Sequence, residues 1–248
     1  MDWKQFSIKN SQGLQLSALL LDAADTSVVI VCHGFTGSKE GGGRAVEMGE
    51  ALSELGFSSL LFDFAGCGDS EGAWENITLS RQTDDLECLV RWCRWRGYRN
   101  IILTGRSFGG STVLNYAAKD PEIAAVCTWA AVARPSLLFE KYLQELLNGP
   151  ASDRVTIEGE EKLQLKKGFF YDLRQHDLLK CAATLAPRNF LVIHGSADES
   201  VPVKEAFLLY EAALEPKRLK IIEGADHRFI NHTKEVWDTF FSWLHTLR

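Results

Sequence analysis

The sequence lacks the features that mark several broad classes of protein. No apolar run approaches the roughly 20 residues of a transmembrane helix, and no basic segment followed by an apolar one opens the chain, so we expect no membrane span and no signal peptide. Positive charge is scarce, because 27 Lys and Arg against 33 Asp and Glu give a net charge of −6. Nucleic acids and anionic membranes reward clustered positive charge, so neither is expected as a partner.

Motifs for redox centres, metals and cofactors are missing as well. No two cysteines have the CxxC spacing, so the sequence predicts reduced thiols, no disulfide framework and a cytoplasmic location. The cysteines are Cys32, Cys67, Cys88, Cys93, Cys127 and Cys181. His227 and His232 are five residues apart, off one helical face, and no further ligand cluster suggests a metal. The glycines at 41–43 lack the Gly-Lys-Ser/Thr ending of a phosphate loop, so we expect no cofactor.

What is present is an alternation of short apolar runs and amphipathic stretches, which predicts an α/β protein. At 248 residues the chain can form a single domain spanning 1–248 around a mostly parallel, eight-stranded sheet flanked by helices. The first two strands are predicted to form an antiparallel hairpin. Strands are predicted near 3–9, 14–21, 27–33, 57–63, 100–105, 124–130, 189–194 and 218–223, and helices near 42–55, 79–97, 108–119, 202–214 and 233–247.

One connection is far longer than an ordinary crossover, with about 55 residues between two predicted strands. It predicts a cap insertion over residues 134–187, with a helix at 136–147, a hairpin of Arg154–Ile157 and Lys162–Leu165, and a helix at 177–185. Four aromatic side chains are candidates for the substrate-binding lining of this cap: Phe139, Tyr142, Phe169 and Phe170. Alternatively, these rings only hold the cap together.

The five residues Gly105-Arg106-Ser107-Phe108-Gly109 follow an apolar run and precede a helix-compatible stretch. A serine in a tight strand-to-helix turn needs neighbours without a Cβ, because the backbone folds back on itself there. The turn lifts the serine hydroxyl out of the sheet and puts the next N–H at a helix N-terminus. This context makes Ser107 the candidate nucleophile.

A serine hydroxyl needs a base, and the base needs an orienting acid. Asp198 follows the apolar run 190–194, and His227 follows the run 219–223, so both lie where sheet strands end. We therefore predict the triad Ser107, Asp198 and His227. Asp226 is too close in sequence to His227 to accept its Nδ1–H easily, and the other competitors are Glu223 for the acid and His232, His194, His176 and His245 for the base.

A second N–H besides that of Phe108 is needed to hold an oxyanion. The run 28–32 ends in His33-Gly34-Phe35, where glycine permits a sharp turn that can aim the Phe35 N–H into the site. Here the sequence resembles the α/β-hydrolase family, in which His-Gly-x after the third strand supplies this donor. The segment 63–72 is similar to the family's D-x-x-G-x-G-x-S-x-G loop. The resemblance implies the α/β-hydrolase fold, oxyanion donors at Phe35 and Phe108, and a structural role for His33.

Within that family the sequence is most similar to small bacterial carboxylesterases of the feruloyl (cinnamoyl) esterase type. This resemblance rests on four segments, His33–Gly37, Gly105–Gly110, Gly195–Pro202 and Gly224–Phe229. It implies a cofactor-independent serine hydrolase that acts on small to medium acyl esters, hydroxycinnamates among them. A thioesterase, a peptidase or amidase, and a non-catalytic ligand-binding protein of the same fold are the alternatives. The expected partner is a small-molecule ester, and the sequence leaves a homodimer open.

Overall fold

The chain begins with a hairpin that the sequence predicts correctly. In a computed structural model, which describes residues 2–23, 25–149, 152–157 and 163–248, strand β1 (Lys4–Lys9) pairs antiparallel with β2 (Gln15–Leu21). The turn between them is held by Asn10, whose Oδ1 accepts the N–H groups of Gln12 and Leu14, both at 3.0 Å. A short polar side chain thus adds to the backbone bonds from Asn10 N to the Leu14 carbonyl and from Gly13 N to the Asn10 carbonyl.

The hairpin forms one edge of an eight-stranded sheet with the order β1-β2-β4-β3-β5-β6-β9-β10. Strand β2 pairs antiparallel with β4, and every later pair is parallel. The remaining strands are β3 (Ser27–Cys32), β4 (Ser58–Phe62), β5 (Asn100–Arg106), β6 (Ala125–Trp129), β9 (Asn189–Gly195) and β10 (Lys217–Ile222). The prediction of a mostly parallel eight-stranded sheet is therefore confirmed, and the carboxyl ends of six strands lie along one edge of the sheet.

Helices cover both faces of this sheet, because alternate residues of its buried strands point to opposite sides. Val29 and Ile102 pack with α1 (Arg44–Glu54) and α9 (Thr233–His245). Val28 and Ile30 contribute to the core on the other face. The helices outside the insertion are completed by α2 (Leu79–Trp95), α3 (Phe108–Ala117) and α8 (Lys204–Ala212). No helix in the described part of the chain is long and apolar enough to cross a bilayer.

The long connection between β6 and β9 contains four helices and a small hairpin in its described residues. These are α4 (Pro135–Leu138), α5 (Glu140–Asn148), β7 (Arg154–Ile157), β8 (Leu163–Lys166), α6 (Lys167–Leu173) and α7 (Leu178–Ala183). The second predicted strand of the hairpin, Lys162–Leu165, overlaps β8 at residues 163–165. Its first residue and the predicted turn at 158–161 lie outside the described residues. We refer to residues 134–187 as the insertion.

Two features of the insertion differ from the sequence prediction. The single helix predicted at 136–147 is two helices, because Phe139 leaves helical geometry (ψ 3°) and its ring packs on Phe35 and Phe169. Helix α6 was not predicted at all. It is stabilised by burial of Phe169, Phe170 and other apolar side chains against the core, a tertiary effect that local periodicity does not reveal.

Ion pairs fasten the insertion to the rest of the fold. At its start, the buried Glu205 carboxylate on α8 accepts the N–H of Arg134 at 2.9 Å and its guanidinium at 2.6 Å. At the hairpin, Glu75 accepts from Arg154 at 2.7 Å and from Lys166 at 2.8 Å. These contacts fix the insertion over the carboxyl edge of the sheet at two separate points.

A buried carboxylate on α2 connects the hairpin turn to the loop after β4. Asp85 accepts the side-chain amide of Asn10 at 2.7 Å and the N–H of Ala65 at 2.9 Å. Burial raises the pKa of Asp85 to about 6, since the two hydrogen bonds only partly offset the loss of hydration. Asp85 therefore holds the loop that follows β4 at the energetic cost of a buried ionisable group.

Candidate active site

Ser107 occupies a sharp turn between β5 and α3, with backbone angles φ 55° and ψ −124°. A positive φ at a residue with a side chain is strained by about 1–3 kcal/mol, and it persists only where the surroundings hold it. Both flanking glycines are required by space: a Cβ on Gly105 would collide with the Gly109 carbonyl, and one on Gly109 would collide with the His33 carbonyl. The structure thus places Ser107 in the strand-to-helix turn that the sequence predicts.

The structure brings Asp198 and His227 together from loops that follow two neighbouring strands. His227 Nδ1 lies 2.8 Å from Asp198 Oδ2, and the Asp198 side chain is fully buried whereas His227 is 17% exposed. No hydrogen bond among the described residues joins Ser107 Oγ to His227. In enzymes without substrate such bonds are often long and tighten only when the substrate is bound.

The competing acids and bases have other roles in the structure. Asp226 accepts the N–H of Ile230 at 3.2 Å and so shapes the turn after His227, and Glu223 is exposed. His176 lies between Ser80 and Asn115, far along the chain from the strand ends. His232 precedes α9, and His245 lies in its last turn. Of the six histidines, two contact Asp198: His227, and His194, whose role the sequence did not suggest.

His194 lies behind Asp198 at the end of β9 and is completely buried. Its Nε2 is 3.2 Å from Asp198 Oδ2 and 2.9 Å from the carbonyl oxygen of Val201. Both of these atoms are acceptors, so Nε2 must carry the proton. His194 Nδ1 has no hydrogen-bond partner among the described residues. His194 therefore contacts the same carboxylate oxygen as His227.

Asp198 is kept ionised by this arrangement. Its Oδ1 accepts the N–H groups of Ser200 at 2.9 Å and Val201 at 2.8 Å. Burial opposes ionisation, but the hydrogen bonds from His194, His227 and Val201 outweigh it and hold the pKa of Asp198 well below its usual range. A permanently charged carboxylate is suited to orient an imidazole and to stabilise its cation.

Two backbone N–H groups near Ser107 are free to bind an oxyanion. A methyl group on Gly34 would lie 3.3 Å from Ser107 Cβ, so the loop after β3 touches the serine. The Gly34 carbonyl accepts from His33 Nδ1 at 2.8 Å and from Gly37 N at 3.0 Å. Because the peptide is trans, the Phe35 N–H points the opposite way. In the described part of the chain neither the Phe35 N–H nor the Phe108 N–H donates to a protein acceptor.

His33 connects two loops at the edge of the site through both ring nitrogens. Nδ1 donates to the Gly34 carbonyl, and Nε2 accepts the N–H of Phe64 at 3.1 Å. Burial lowers the pKa of His33, which favours this neutral tautomer. A ring with both nitrogens occupied has no capacity left to move a substrate proton.

The segment 63–72 is organised around a buried ion pair that the sequence analysis missed. Asp63 is completely buried and accepts the Lys39 backbone N–H at 2.6 Å and its ammonium group at 2.8 Å. Lys39 Nζ also reaches Asp69 at 2.6 Å. Gly68 is required because a Cβ there would collide with the Asp63 carboxylate. Just after this loop, Trp74 donates its Nε1–H to the Phe35 carbonyl oxygen at 3.2 Å, which connects the segment to the loop after β3.

Aromatic rings from the insertion pack against Phe35 and Phe108, whose N–H groups are the oxyanion-donor candidates. Phe35 lies 5.2 Å from Phe108, 5.2 Å from Phe139 and 5.5 Å from Phe169, measured between ring centroids. Phe170 contacts Phe169, with 5.3 Å between ring centroids. Tyr142 contacts Phe139, with 6.4 Å between ring centroids. Of the four candidate lining residues, Phe139 and Phe169 therefore pack directly on Phe35 and Phe108.

Comparison with known proteins agrees with this geometry. The sequence model of the family described as alpha/beta hydrolase fold matches residues 27–154, which is just over half of the chain. The chain belongs to the α/β-hydrolase family. The match covers β3, the serine turn and the start of the insertion, the part of the chain that carries the nucleophile candidate and both oxyanion candidates.

Individual relatives are distant. An uncharacterized 31.7 kDa protein from Escherichia coli is 29% identical over 48% of this α/β hydrolase and 42% of its own length. The chain thus spans about two fifths of the first curated relatives that it matches. Est1E from Butyrivibrio proteoclasticus, solved with ferulic acid, superposes with a TM-score of 0.85 at 23% identity over 98% of both chains. An esterase domain from Rhodothermus marinus gives 0.76 at 26% identity, again over 98% of both. The fold and these esterase neighbours support a hydrolase.

Proposed function

We propose that this α/β hydrolase is a serine carboxylesterase in which Ser107 is the nucleophile, His227 the base and Asp198 the orienting acid. The observation that carries the proposal is the Asp198–His227 hydrogen bond of 2.8 Å, formed between loops at the same sheet edge as the strained Ser107 turn. His227 remains partly exposed to solvent, so pairing it with the buried Asp198 adds little to the core. A catalytic role accounts for the pairing better than a structural one.

In the acylation step, Ser107 Oγ attacks the carbonyl carbon of the ester while His227 Nε2 takes the hydroxyl proton. Asp198 holds His227 through Nδ1 and stabilises the imidazolium that forms. The carbonyl oxygen becomes an oxyanion, which the N–H groups of Phe35 and Phe108 bind. When the tetrahedral intermediate collapses, the C–O bond to the alcohol breaks, and the alcohol leaves with the proton from His227.

Deacylation repeats the same steps with water in place of the serine. His227 removes a proton from water, the hydroxide attacks the acyl carbonyl, and the oxyanion again lies at Phe35 and Phe108. Collapse returns the proton to Ser107 Oγ and releases the carboxylic acid. No group besides Ser107, His227, Asp198 and the two N–H donors is needed for the proton balance to close.

We further propose that the insertion acts as a cap and that the acyl group contacts its inward-facing rings. Phe139 and Phe169 lie next to Phe35 and Phe108. An acyl chain that is bound to Ser107 and extends toward this side therefore contacts a surface of aromatic rings. Planar aromatic acyl groups match such a wall, because rings gain energy from stacking and edge contacts beyond area burial. That Est1E was solved with ferulic acid supports hydroxycinnamate esters as candidates for this chain.

The experiment that tests this proposal is a panel of substrates that varies the acyl group among oxygen esters and, for the butyryl group, the leaving group. Methyl ferulate, p-nitrophenyl acetate, butyrate and octanoate, a butyryl thioester and a butyryl anilide would be assayed with wild-type protein and with Ser107→Ala. The proposal expects oxygen esters to be hydrolysed with the highest kcat/KM and the alanine variant to be inactive on all of them. Preferred hydrolysis of the thioester or the anilide would contradict a carboxylesterase and favour the corresponding alternative.

A further inference from the structure

A second cleft lies on the opposite face of the sheet from the insertion. Its walls are the carboxyl ends of β3, β5 and β6 and the first turns of α1 and α9. The cavity volume is about 110 Å³. None of the triad, the oxyanion candidates or the insertion residues lines it. It adjoins the site proposed for ester hydrolysis, since Arg106 and Arg228 are next in sequence to Ser107 and His227, but it is lined by different residues.

Basic side chains line this cleft in a protein whose net charge is −6. Lys39, Arg44, Arg106 and Arg228 all contribute to its surface, whereas none of the lining residues is Asp or Glu. Lys39 is neutralised by Asp63, Asp69 and Glu40. In the described part of the chain, the charge without an ion-pair partner belongs to Arg106 on β5 and to Arg44 on α1, whose guanidinium donates to the Arg228 carbonyl oxygen at 2.9 Å.

Arg106 is the central member of this group. It is half-buried, and no carboxylate in the described part of the chain lies within ion-pair distance of its guanidinium. Burial lowers the pKa of Arg106, and the positive charges of Arg228 and Arg44 lower it further. Asp198 and Asp226 act on it only at longer range. A partly desolvated cation with cationic neighbours is costly unless an anion is bound beside it.

The two helices that begin at the cleft add to its positive potential. Backbone N–H groups at a helix N-terminus carry partial positive charge and attract anions. The residue before α1 is Gly43 and the residue before α9 is His232, and neither accepts a side-chain capping bond from its helix. Both helices exceed two turns, with 11 and 13 residues, so their dipoles are developed.

The remaining wall of the cleft is apolar and largely aromatic. Trp129, Trp237 and Phe229 line it together with Met48 and Val236. An inorganic ion would leave this apolar surface uncovered, whereas an organic molecule with an anionic group would bury its apolar part against it. Charge and apolar lining together therefore define the chemical class of the ligand.

We propose that this cleft binds an organic oxyanion, with its carboxylate or phosphate group held by Arg106 and Arg44 and its apolar body against Trp129 and Trp237. The planar guanidinium matches both head groups, because it donates two parallel hydrogen bonds. The ligand compensates the charge of Arg106, and it is held by residues other than the proposed triad. The proposal does not depend on the esterase assignment.

Calorimetric titration tests this site directly, with phenyl phosphate and benzoate as anionic probes and benzyl alcohol as the neutral control. The titrations use protein whose Ser107 is replaced by alanine, so that turnover plays no part. We expect at least one of the anions to bind with 1:1 stoichiometry and the alcohol to bind much more weakly. Inorganic phosphate should bind more weakly than phenyl phosphate, because it leaves the apolar wall uncovered.

Variants locate the bound anion. Arg106→Gln and Arg44→Gln should each weaken binding by about tenfold or more, since a hydrogen bond to a charged group is lost. Arg99→Gln removes the same charge from an exposed residue outside the cleft and should leave the affinity unchanged. Arg44, a partly exposed residue on α1, supplies the test should the Arg106 variant fold poorly. Equal affinity in wild type and both cleft variants, or binding of benzyl alcohol as tight as that of the anions, would overturn the proposal.

Discussion

His194 Nε2 lies 3.2 Å from the same Asp198 oxygen that accepts the hydrogen bond of His227. One carboxylate oxygen is therefore contacted by two imidazoles, and the inner one, His194, is completely buried. The inner bond fixes the position of the carboxylate, and the carboxylate in turn fixes His227. We infer that His194 is a positioning residue for the proposed triad.

Replacing His194 by leucine should lower kcat by about tenfold or more with little change in KM, because a hydrogen bond to a charged group is lost while the acyl site is untouched. Glutamine places an amide N–H near the position of Nε2, so His194→Gln should recover much of the activity. Steady-state kinetics with p-nitrophenyl butyrate measure both. If the two variants lose stability equally and keep the wild-type kcat, His194 is only a part of the core.

The choice of acid is tested by a matched pair of substitutions. Asp198→Asn should lower kcat by roughly 10⁴-fold, because an amide favours the wrong tautomer of His227. Asp226→Asn should have a small effect, since Asp226 only accepts the N–H of Ile230. Far-ultraviolet circular dichroism establishes that both variants fold. The opposite order of the two effects would show that Asp226 is the acid.

The insertion is expected to set acyl preference through the rings that face Phe35. Phe139→Ala and Phe169→Ala should change the ratio of kcat/KM between short and long or aromatic esters by about 10- to 200-fold. Phe170→Ala is the matched control, because Phe170 is buried like Phe169 but its ring contacts Phe169 rather than Phe35 or Phe108. It should cost about 3–5 kcal/mol of unfolding free energy and leave the preference unchanged. Identical ester profiles for all three variants would refute a cap that selects the acyl group.

Stability should depend on pH through Asp85. Its folded-state pKa of about 6 exceeds the value of about 3.9 for an exposed aspartate, so the native state binds more protons between these values. Unfolding free energy therefore falls as the pH rises from 4 through 6, by up to about 3 kcal/mol from this group. Urea unfolding of wild type and Asp85→Asn across that range should show the difference, and Glu87→Gln on the exposed face of α2 serves as control. A difference between wild type and Asp85→Asn that is constant with pH would contradict this assignment.

Regular elements of the fold could be predicted because their signals are local. The strands of the sheet alternate with amphipathic stretches, and the glycines around Ser107 report a backbone conformation that only they permit. The sequence also placed Asp198 and His227 at strand ends, where neighbouring parallel strands bring distant residues together.

What the sequence did not reveal depends on contacts between distant segments. The break at Phe139 arises because its ring packs on Phe35, more than 100 residues earlier in the chain. The burial of Lys39 against Asp63 and of His194 against Asp198 requires loops that only the assembled sheet brings together. The arginines of the second cleft come from three separate elements, and no spacing in the sequence links them.

The central claim is that Ser107 is the nucleophile of a hydrolase, and covalent labelling tests it most directly. Wild-type protein would be treated with a fluorophosphonate and analysed by intact-mass and peptide mass spectrometry, with Ser107→Ala as control. We expect one adduct per chain, located on Ser107, with loss of ester hydrolysis in proportion to labelling. The alanine variant should remain unlabelled, and its kcat should be lower by on the order of 10⁵- to 10⁶-fold. An adduct on another residue, or normal turnover by Ser107→Ala, would contradict the account.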